Sequence, residues 1–545
     1  MVLVAIIIMS LTAGTYLALM ANEHVATRYR GRREQARLLA ESGVEYLQAI
    51  LNQTDEEILQ QGGIYDNEDA MQSILVIENT SPAYRGMFTI LAAALEDGYY
   101  SGLRYGLENE SAKLNLNVLI EDDDEEDDTA RQRLLAIPGI DSSIADAILD
   151  WLDEDDEDRE FGAERSHYQD LPVEYDPRNG QFTGLDELLM IKGITAEILY
   201  GLDADRSYEV EEHEEEATGA LEELENNEGQ LNRGLSAYLT VHSMERVTNA
   251  DGKARIDVNT KNLKQLNRKL SKAIGEEAAK FIVFYRQYGA TTTDSAESSE
   301  STSDTTSLAS MSLDFKVKAQ FEITTLLDLV DANVSVKVEE KKKKSKKSKK
   351  KNKNANNNSS DNDAGESSGE NANKSAEEEQ PPQLVESPWR GESETFREDF
   401  LTLLDQVQVG KEKRLAGRIN INAASKPVLL SIPEMSESIA DQILTQREEE
   451  FESLEDLQRH PHWIWAEEIV DKQQMRKMEP YLTTGGDVYS AQVVGYFETT
   501  TPRSRSEVVF DRSGKTTRIF SWQNLSKLGP GVARSHLGEE PEGKD

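Results

Sequence analysis

Cysteine is absent from the 545 residues, which excludes disulfide frameworks, thiolate nucleophiles and cysteine-ligated zinc. It does not fix the compartment, because an exported protein can do without thiols. The seven histidines are scattered. There is no HExxH pair and no Walker phosphate loop, and the string GESSG at 365–369 stands inside low-complexity sequence rather than between a strand and a helix, so a soluble catalytic domain is not expected. Apolar residues are few, at 37%, and charged residues many, at 30%, a composition of modest cores separated by solvated stretches. Positive charge is the minority: 60 Lys and Arg against 102 Asp and Glu leave a net charge of −42. Such a surface repels phosphate and disfavours wrapping of nucleic acid by the whole chain. The length exceeds one ordinary domain.

Charge is also missing from residues 2–21, VLVAIIIMSLTAGTYLALMA. As a helix this run spans about 30 Å, one hydrocarbon core. A signal-peptide core is shorter and ends at a small-residue cleavage site. Here the chain continues instead through EHVATRYRGRREQARLLAESGVEYLQAILNQ, interrupted only by Gly31 and Gly43. Leu38, Leu39, Val44, Leu47 and Leu51 recur at helical spacing, so residues 1–55 are expected to form one transmembrane and stalk helix docked on a head. A plain membrane anchor is the alternative. Arg28, Arg30, Arg32 and Arg33 follow the span, and basic residues there ordinarily stay cytoplasmic. A short basic leader ahead of residue 1 would offset this.

Beyond the stalk a unit recurs three times. Copy one opens with KLNLN (113–117), continues through LLAIPGIDSSIADAILDWLDE and closes with FTGLDELL (182–189). Copy three opens with RININ (418–422), continues through LLSIPEMSESIADQILTQREE and closes with FESLEDL (451–457). Copy two is weaker: RIDVN (255–259), AIGEEAAKFIVFYRQYG, then FEITTLL (321–327). The alternating start reads as a short strand ending at a helix cap. The IPGI and SIPEM turns join two short helices, which makes each copy a helix-hairpin-helix unit.

The insertions are low in complexity: EDDDEEDD at 121–128, an acidic stretch at 207–229, a Ser/Thr/Asp segment at 291–312, and a lysine block leading into Asn, Ser, Glu and Pro at 339–381. None can bury enough apolar surface to order itself. The lysine block could meet anionic lipid or nucleic acid, or serve as a solvated spacer. After copy three, residues 488–497, 506–511 and 516–522 read as a small antiparallel meander with turns at TTTPRS and RSGK. The expected fold class is α+β: a pilin-like transmembrane helix, repeated helix-hairpin-helix units and small antiparallel sheets, with disordered insertions. The expected regions are a stalk (1–55), a first hairpin region (56–206), an acidic linker (207–230), a degenerate second repeat (231–338), a low-complexity linker (339–386), a third hairpin region (387–485), the meander (486–528) and a disordered tail (529–545).

Hairpins of this kind grip DNA phosphates through a Gly-apolar-Gly turn. Here the second glycine is replaced by Asp141 after Gly139 and by Thr195 after Gly193, and Glu434-Met435-Ser436 lacks both. Asp141 and Asp146 would face the phosphates with the wrong charge, so structural or protein-contact use is expected and no nucleic acid. After the hairpin of copy one, Asp153, Asp155, Glu157 and Glu164 occupy positions one, three, five and twelve of an acidic loop. That spacing resembles an EF-hand and offers hard oxygen ligands for calcium, although position six is Asp158 where the turn needs glycine. The alternative is a solvated acidic loop.

The apolar helix followed by ARLLAESGVEYL resembles a type IV pilin-like subunit. The block from IPGIDSSIADAILDWLDE to LLMIKGI is similar to the core of the type II secretion minor pseudopilins of the general secretion pathway protein K family. So are RININAASKPVLLSIPEMSESIADQIL and the closing strands. This resemblance implies a non-enzymatic minor pseudopilin at the tip of the periplasmic pseudopilus, contributing to its assembly and to export of folded proteins across the outer membrane. It would be anchored in the inner membrane by a single pass with its head in the periplasm. Its partners would be other minor pseudopilins, the inner-membrane platform and membrane lipid. Members of that family carry calcium near their hairpins, which the resemblance extends to this loop without assigning ligands. Pilin shafts use a glutamate early in the apolar helix to meet a neighbour's terminal amine. Residues 2–21 contain none, and a terminal subunit needs none. Two other functions stand beside this one: a membrane-anchored helix-hairpin-helix receptor for DNA uptake, and a cytoplasm-facing membrane scaffold.

Overall fold

A single helix, α1 (Val2–Leu51), runs unbroken through Gly31 and Gly43, as the sequence leads one to expect. In the computed structural model the described residues are 2–96, 98–121, 128–209, 232–291, 308–336, 383–448 and 459–538. Most of the four low-complexity insertions, and the FESLEDL close of copy three, lie outside them. Along α1, every residue from 2 to 25 is exposed. From Ala36 onward, Leu39, Ala40, Gly43, Val44, Leu47, Ile50 and Leu51 are buried, one stripe of a 3.6-residue helix. Leu38, expected on that stripe, is 53% exposed, because it lies about 100° round the helix from Leu39.

The stripe packs on an antiparallel sheet of seven strands. These are β1 (Ile74–Ile77), β2 (Gly86–Glu96), β3 (Tyr99–Arg104), β4 (Glu108–Asn109), β5 (Val488–Phe497), β6 (Thr500–Asp511) and β7 (Arg518–Asn524). Their order is β1-β2-β5-β6-β7, with β3 also paired to β2 and β4 to β5. The expected meander is β5–β7, and β2 extends it by pairing Ile90 with Val493 across some four hundred residues of chain. The β5–β6 turn is not TTTPRS: Phe497 pairs with Thr500, so the turn is Glu498-Thr499. Pro502 then falls in an irregularity between the Phe497–Thr500 and Gly495–Ser504 pairs, where its missing N–H breaks no ladder bond.

On one sheet face Val44, Leu47 and Leu51 of α1 meet Phe88, Ile90, Val493, Val508 and Phe510. Each such side chain taken out of water contributes about 1.5–3 kcal/mol. On the other face Leu91, Val494 and Tyr496 are covered by Val532 and Leu537. The tail expected to be disordered from 529 is therefore ordered as far as 538. Its Leu537 carbonyl accepts from Tyr496 Oη at 2.6 Å and Ser73 Oγ at 2.7 Å, and two apolar side chains plug the sheet.

Two compact units are present, Met1–Ala254 with Glu412–Asp545, and Arg255–Lys411. The second is copy two with its insertions. It starts at RIDVN rather than 231 and ends at 411 rather than 338, because Val407-Gln408 returns to pair in parallel with Ile256-Asp257. That pairing is part of the repeat. Leu114-Asn115 pairs in parallel with Leu239-Thr240, and Ile419-Asn420 with Leu482-Thr483. In every copy the third residue of the opening motif accepts from the N–H of the fifth: Asn115 from Asn117, Asp257 from Asn259, Asn420 from Asn422. The fifth residue then clamps the closing segment. Asn117 bonds both the N–H and carbonyl of Phe182, and Asn259 both those of Ile323. The hairpins are α2 (Thr129–Leu135) and α3 (Ser142–Leu152), α4 (Leu263–Ala273) and α5 (Glu276–Tyr288), and α6 (Lys426–Leu430) and α7 (Glu437–Glu448).

In the first unit, copy one joins the sheet through buried charges. Lys113 Nζ lies 3.1 Å from Glu108 and 3.2 Å from Glu110, and Arg233 Nη1 lies 3.1 Å from Glu108. Two acids balance two bases, and Tyr100 and Ser490 donate to the remaining carboxylate lone pairs. Complete pairing of this kind is what makes burial of four charges tolerable. Although burial opposes both charged forms, Arg233 and Lys113 hold Glu108 well below the carboxylate range, while Glu108 and Glu110 hold Lys113 above the usual lysine value.

Candidate functional site

The hairpin turns share one geometry. Ile140 N donates to Ile137 O, Ile194 N to Ile191 O, and Met435 N to Ile432 O. The third residue of each turn is left-handed: Gly139 (φ +84°), Gly193 (φ +85°) and Glu434 (φ +67°). The residue replacing the second glycine caps the next helix in all three. Asp141 accepts from Ile144 N at 2.9 Å, Thr195 from Ile198 N at 3.3 Å and Ser436 from Ile439 N at 3.3 Å. A cap oxygen occupies helix-end donors that would otherwise meet a phosphate. Asp146, expected to face outward, is instead 2% exposed; it pairs with Arg131 at 2.6 Å and accepts from Phe161 N.

α3 carries the acidic site. Its buried face runs to Asp150 and Trp151, and Asp153 follows Asp150 by three residues, so both carboxylates share one side of the helix. The chain then loops back at Gly162, where a Cβ would stand 1.9 Å from Asp150 Oδ2; only glycine allows the approach. Glu164 arrives beside both, and one oxygen from each of Asp150, Asp153 and Glu164 lies within 4.8 Å of the others. Arg159 Nη1 donates to Asp150 Oδ1 at 2.8 Å and pairs with Asp153, one cation against three carboxylates.

Glu164 is 1% exposed, and neither of its oxygens has a hydrogen-bond partner among the described residues; Asp153 Oδ1 is in the same condition. Burial, then the charges of Asp153 and Asp150, push the Glu164 carboxyl up to about 7. Burial raises Asp150 and Asp153 too, against the opposing pull of Arg159. Three hard anionic oxygens with unfilled lone pairs suit a calcium ion, which takes six to eight oxygens in flexible geometry.

Two of the four residues singled out by spacing, Asp153 and Glu164, are in this cluster. Asp155 and Glu157 are exposed, and Asp155 Oδ1 accepts from Glu157 N at 2.8 Å. Asp150 belongs to the same run of acids in the sequence, but it falls outside the four ligand positions because EF-hand counting starts at 153. The available signal was helical: Asp150 and Asp153 are one turn apart on a helix that ends at Leu152.

Two models of one family, described as Type II secretion system (T2SS), protein K, match the chain, over residues 112–203 and 419–473. These matches, about a quarter of the chain, support a minor pseudopilin of type II secretion, and α1 is long and apolar enough to cross a membrane once. The first protein K match contains the whole acidic cluster and the second the hairpin of copy three, while residues 255–411 lie outside both. Among solved structures, a chain of the GspK-GspI-GspJ complex from the enterotoxigenic Escherichia coli type 2 secretion system is similar over 92% of this chain and 99% of that one, with 10% identity and a TM-score of 0.39. No curated protein matches the chain by sequence.

Proposed function

We propose that this protein is the tip subunit of the pseudopilus, with its head in the periplasm, where it assembles with other minor pseudopilins and the inner-membrane platform and catalyses no reaction. The division of α1 is the observation that carries this. Residues 2–25 have every side exposed and wait for lipid or neighbouring helices, whereas Ala36–Leu51 is committed to its own sheet. The shaft of a helical filament is crowded, and a head with two compact units fits where no subunit follows. The absence of an acid in residues 2–21 agrees with a subunit that meets no terminal amine above it. Protease added to cells with a permeabilised outer membrane should digest the head, and full protection would favour the cytoplasm-facing scaffold. Gold labels on the head should mark one end of assembled pseudopili; labels along their length would overturn the tip assignment.

We further infer that Asp150, Asp153 and Glu164 hold calcium that staples the loop 153–164 to α3. The unpartnered, buried Glu164 supports this more strongly than the acidic composition does. Millimolar calcium should raise the melting temperature of the full chain in neutral detergent, and identical curves in calcium and in chelator would leave only a solvated acidic loop.

A further inference from the structure

The second unit holds 25 of the 60 basic residues and 26 of the 102 acidic ones. It is almost neutral, while the first unit carries nearly all of the net negative charge. Within it, residues 260–275 contain five cations and no acid. Leu263, Leu266 and Leu270 bury one side of α4, which leaves Lys264, Arg268 and Lys272 in a row on the exposed side, one turn apart. With Gln265, Asn267 and Phe315 they line an open groove of about 790 Å³. Phe315 is 40% exposed, and Lys316 and Lys318 beside it are exposed as well.

We propose that this face of the second unit docks on an anionic lipid surface, taking phosphate headgroups in the groove and Phe315 into the interfacial layer. Exposed cations on a helix attract such a surface by roughly fivefold in partitioning per residue. An aromatic among them adds apolar contact at headgroup depth, which a solvated spacer has no use for. A nucleic acid fits less well. The hairpin turn that would grip its phosphates is Gly275 followed by Glu276 and Glu277, so the cations stand on the flank of the first helix and the turn itself is acidic.

The test uses the full chain in zwitterionic nanodiscs, with the lysines of 341–353 replaced by glutamine so that only this face is read. Immobilised vesicles of phosphatidylcholine containing phosphatidylglycerol should retain it, vesicles of phosphatidylcholine alone should not, and added salt should release it. K264Q/R268Q/K272Q should weaken retention by about a hundredfold without moving the melting temperature, and Phe315→Ser by a smaller factor. Retention that is absent at low salt, or unchanged in the triple variant, overturns the proposal. So does binding of a single-stranded oligonucleotide, lost in the triple variant, by a chain that ignores anionic vesicles.

Discussion

Gly495 of β5 lies directly against the backbone of Ala40 in α1: a Cβ on Gly495 would stand 2.3 Å from the Ala40 amide nitrogen and 2.2 Å from the Ala36 carbonyl oxygen. Gly43 makes the reciprocal approach, its missing Cβ lying 2.5 Å from Val493 Cγ1. The helix and sheet touch through bare backbone. Gly495→Ala should force them apart and cost about 1–3 kcal/mol, as overpacking does. Gly31→Ala, where nothing lies within 4 Å, should instead gain about 0.5–1 kcal/mol from helix propensity. Urea melts of the full chain in neutral detergent check both, and equal effects at the two glycines would refute the close-contact account.

Glu434 holds the left-handed position that glycine fills in the two turns of copy one. A non-glycine residue there costs about 1–2 kcal/mol, and its exposed pair with Lys477 at 2.8 Å returns at most about 1 kcal/mol. Glu434→Gly should therefore stabilise the protein slightly, and Glu434→Val, with its branched Cβ, should destabilise it. Thermal melts at low and high salt check this; salt should widen the difference between wild type and glycine only if the ion pair matters.

For calcium, the geometry separates residues that spacing alone treats alike. Asp153→Asn or Glu164→Gln should abolish most of the calcium-induced rise in melting temperature, and Asp155→Asn should leave it intact. At a hundredfold excess over its dissociation constant the ion contributes about 2.7 kcal/mol. Arg159→Gln should weaken the protein in chelator and sharpen its response to calcium, since it removes the competing cation. Differential scanning calorimetry in calcium and in chelator decides, and loss of the response in Asp155→Asn would return the site to an EF-hand-like loop.

The Glu164 carboxyl titrates at about 7 in the folded head, against about 4.3 in an unfolded chain. Between those values the folded protein keeps a proton that the unfolded chain has released. In chelator its contribution is complete below about pH 4.3 and is lost as pH rises towards 7. The raised Asp150 and Asp153 act in the same direction. Saturating calcium, which binds the ionised carboxylates, should flatten this decline, and Glu164→Gln should remove its own share. Urea titrations at pH 5 and 7.5 measure the difference, and a wild-type slope unchanged in Glu164→Gln would show that the proton resides elsewhere.

Local chemistry was enough for the apolar span, the helix that continues it, the three openings ending in Asn117, Asn259 and Asn422, and the hairpin turns, because caps, turns and helical stripes are specified within a few residues. The capping role of Asp141, Thr195 and Ser436 was present in the same letters, hidden behind the glycines they replace. Tertiary structure decided what depends on partners far along the chain. Strand pairing has no local signature, so nothing near Ile90 announces Val493, and nothing near Ile256 announces Val407. The acidic site shows the same division. Asp153 and Glu164 could be counted along a loop, but Asp150 joins them only because α3 continues past it and Gly162 lets the returning backbone reach its carboxylate.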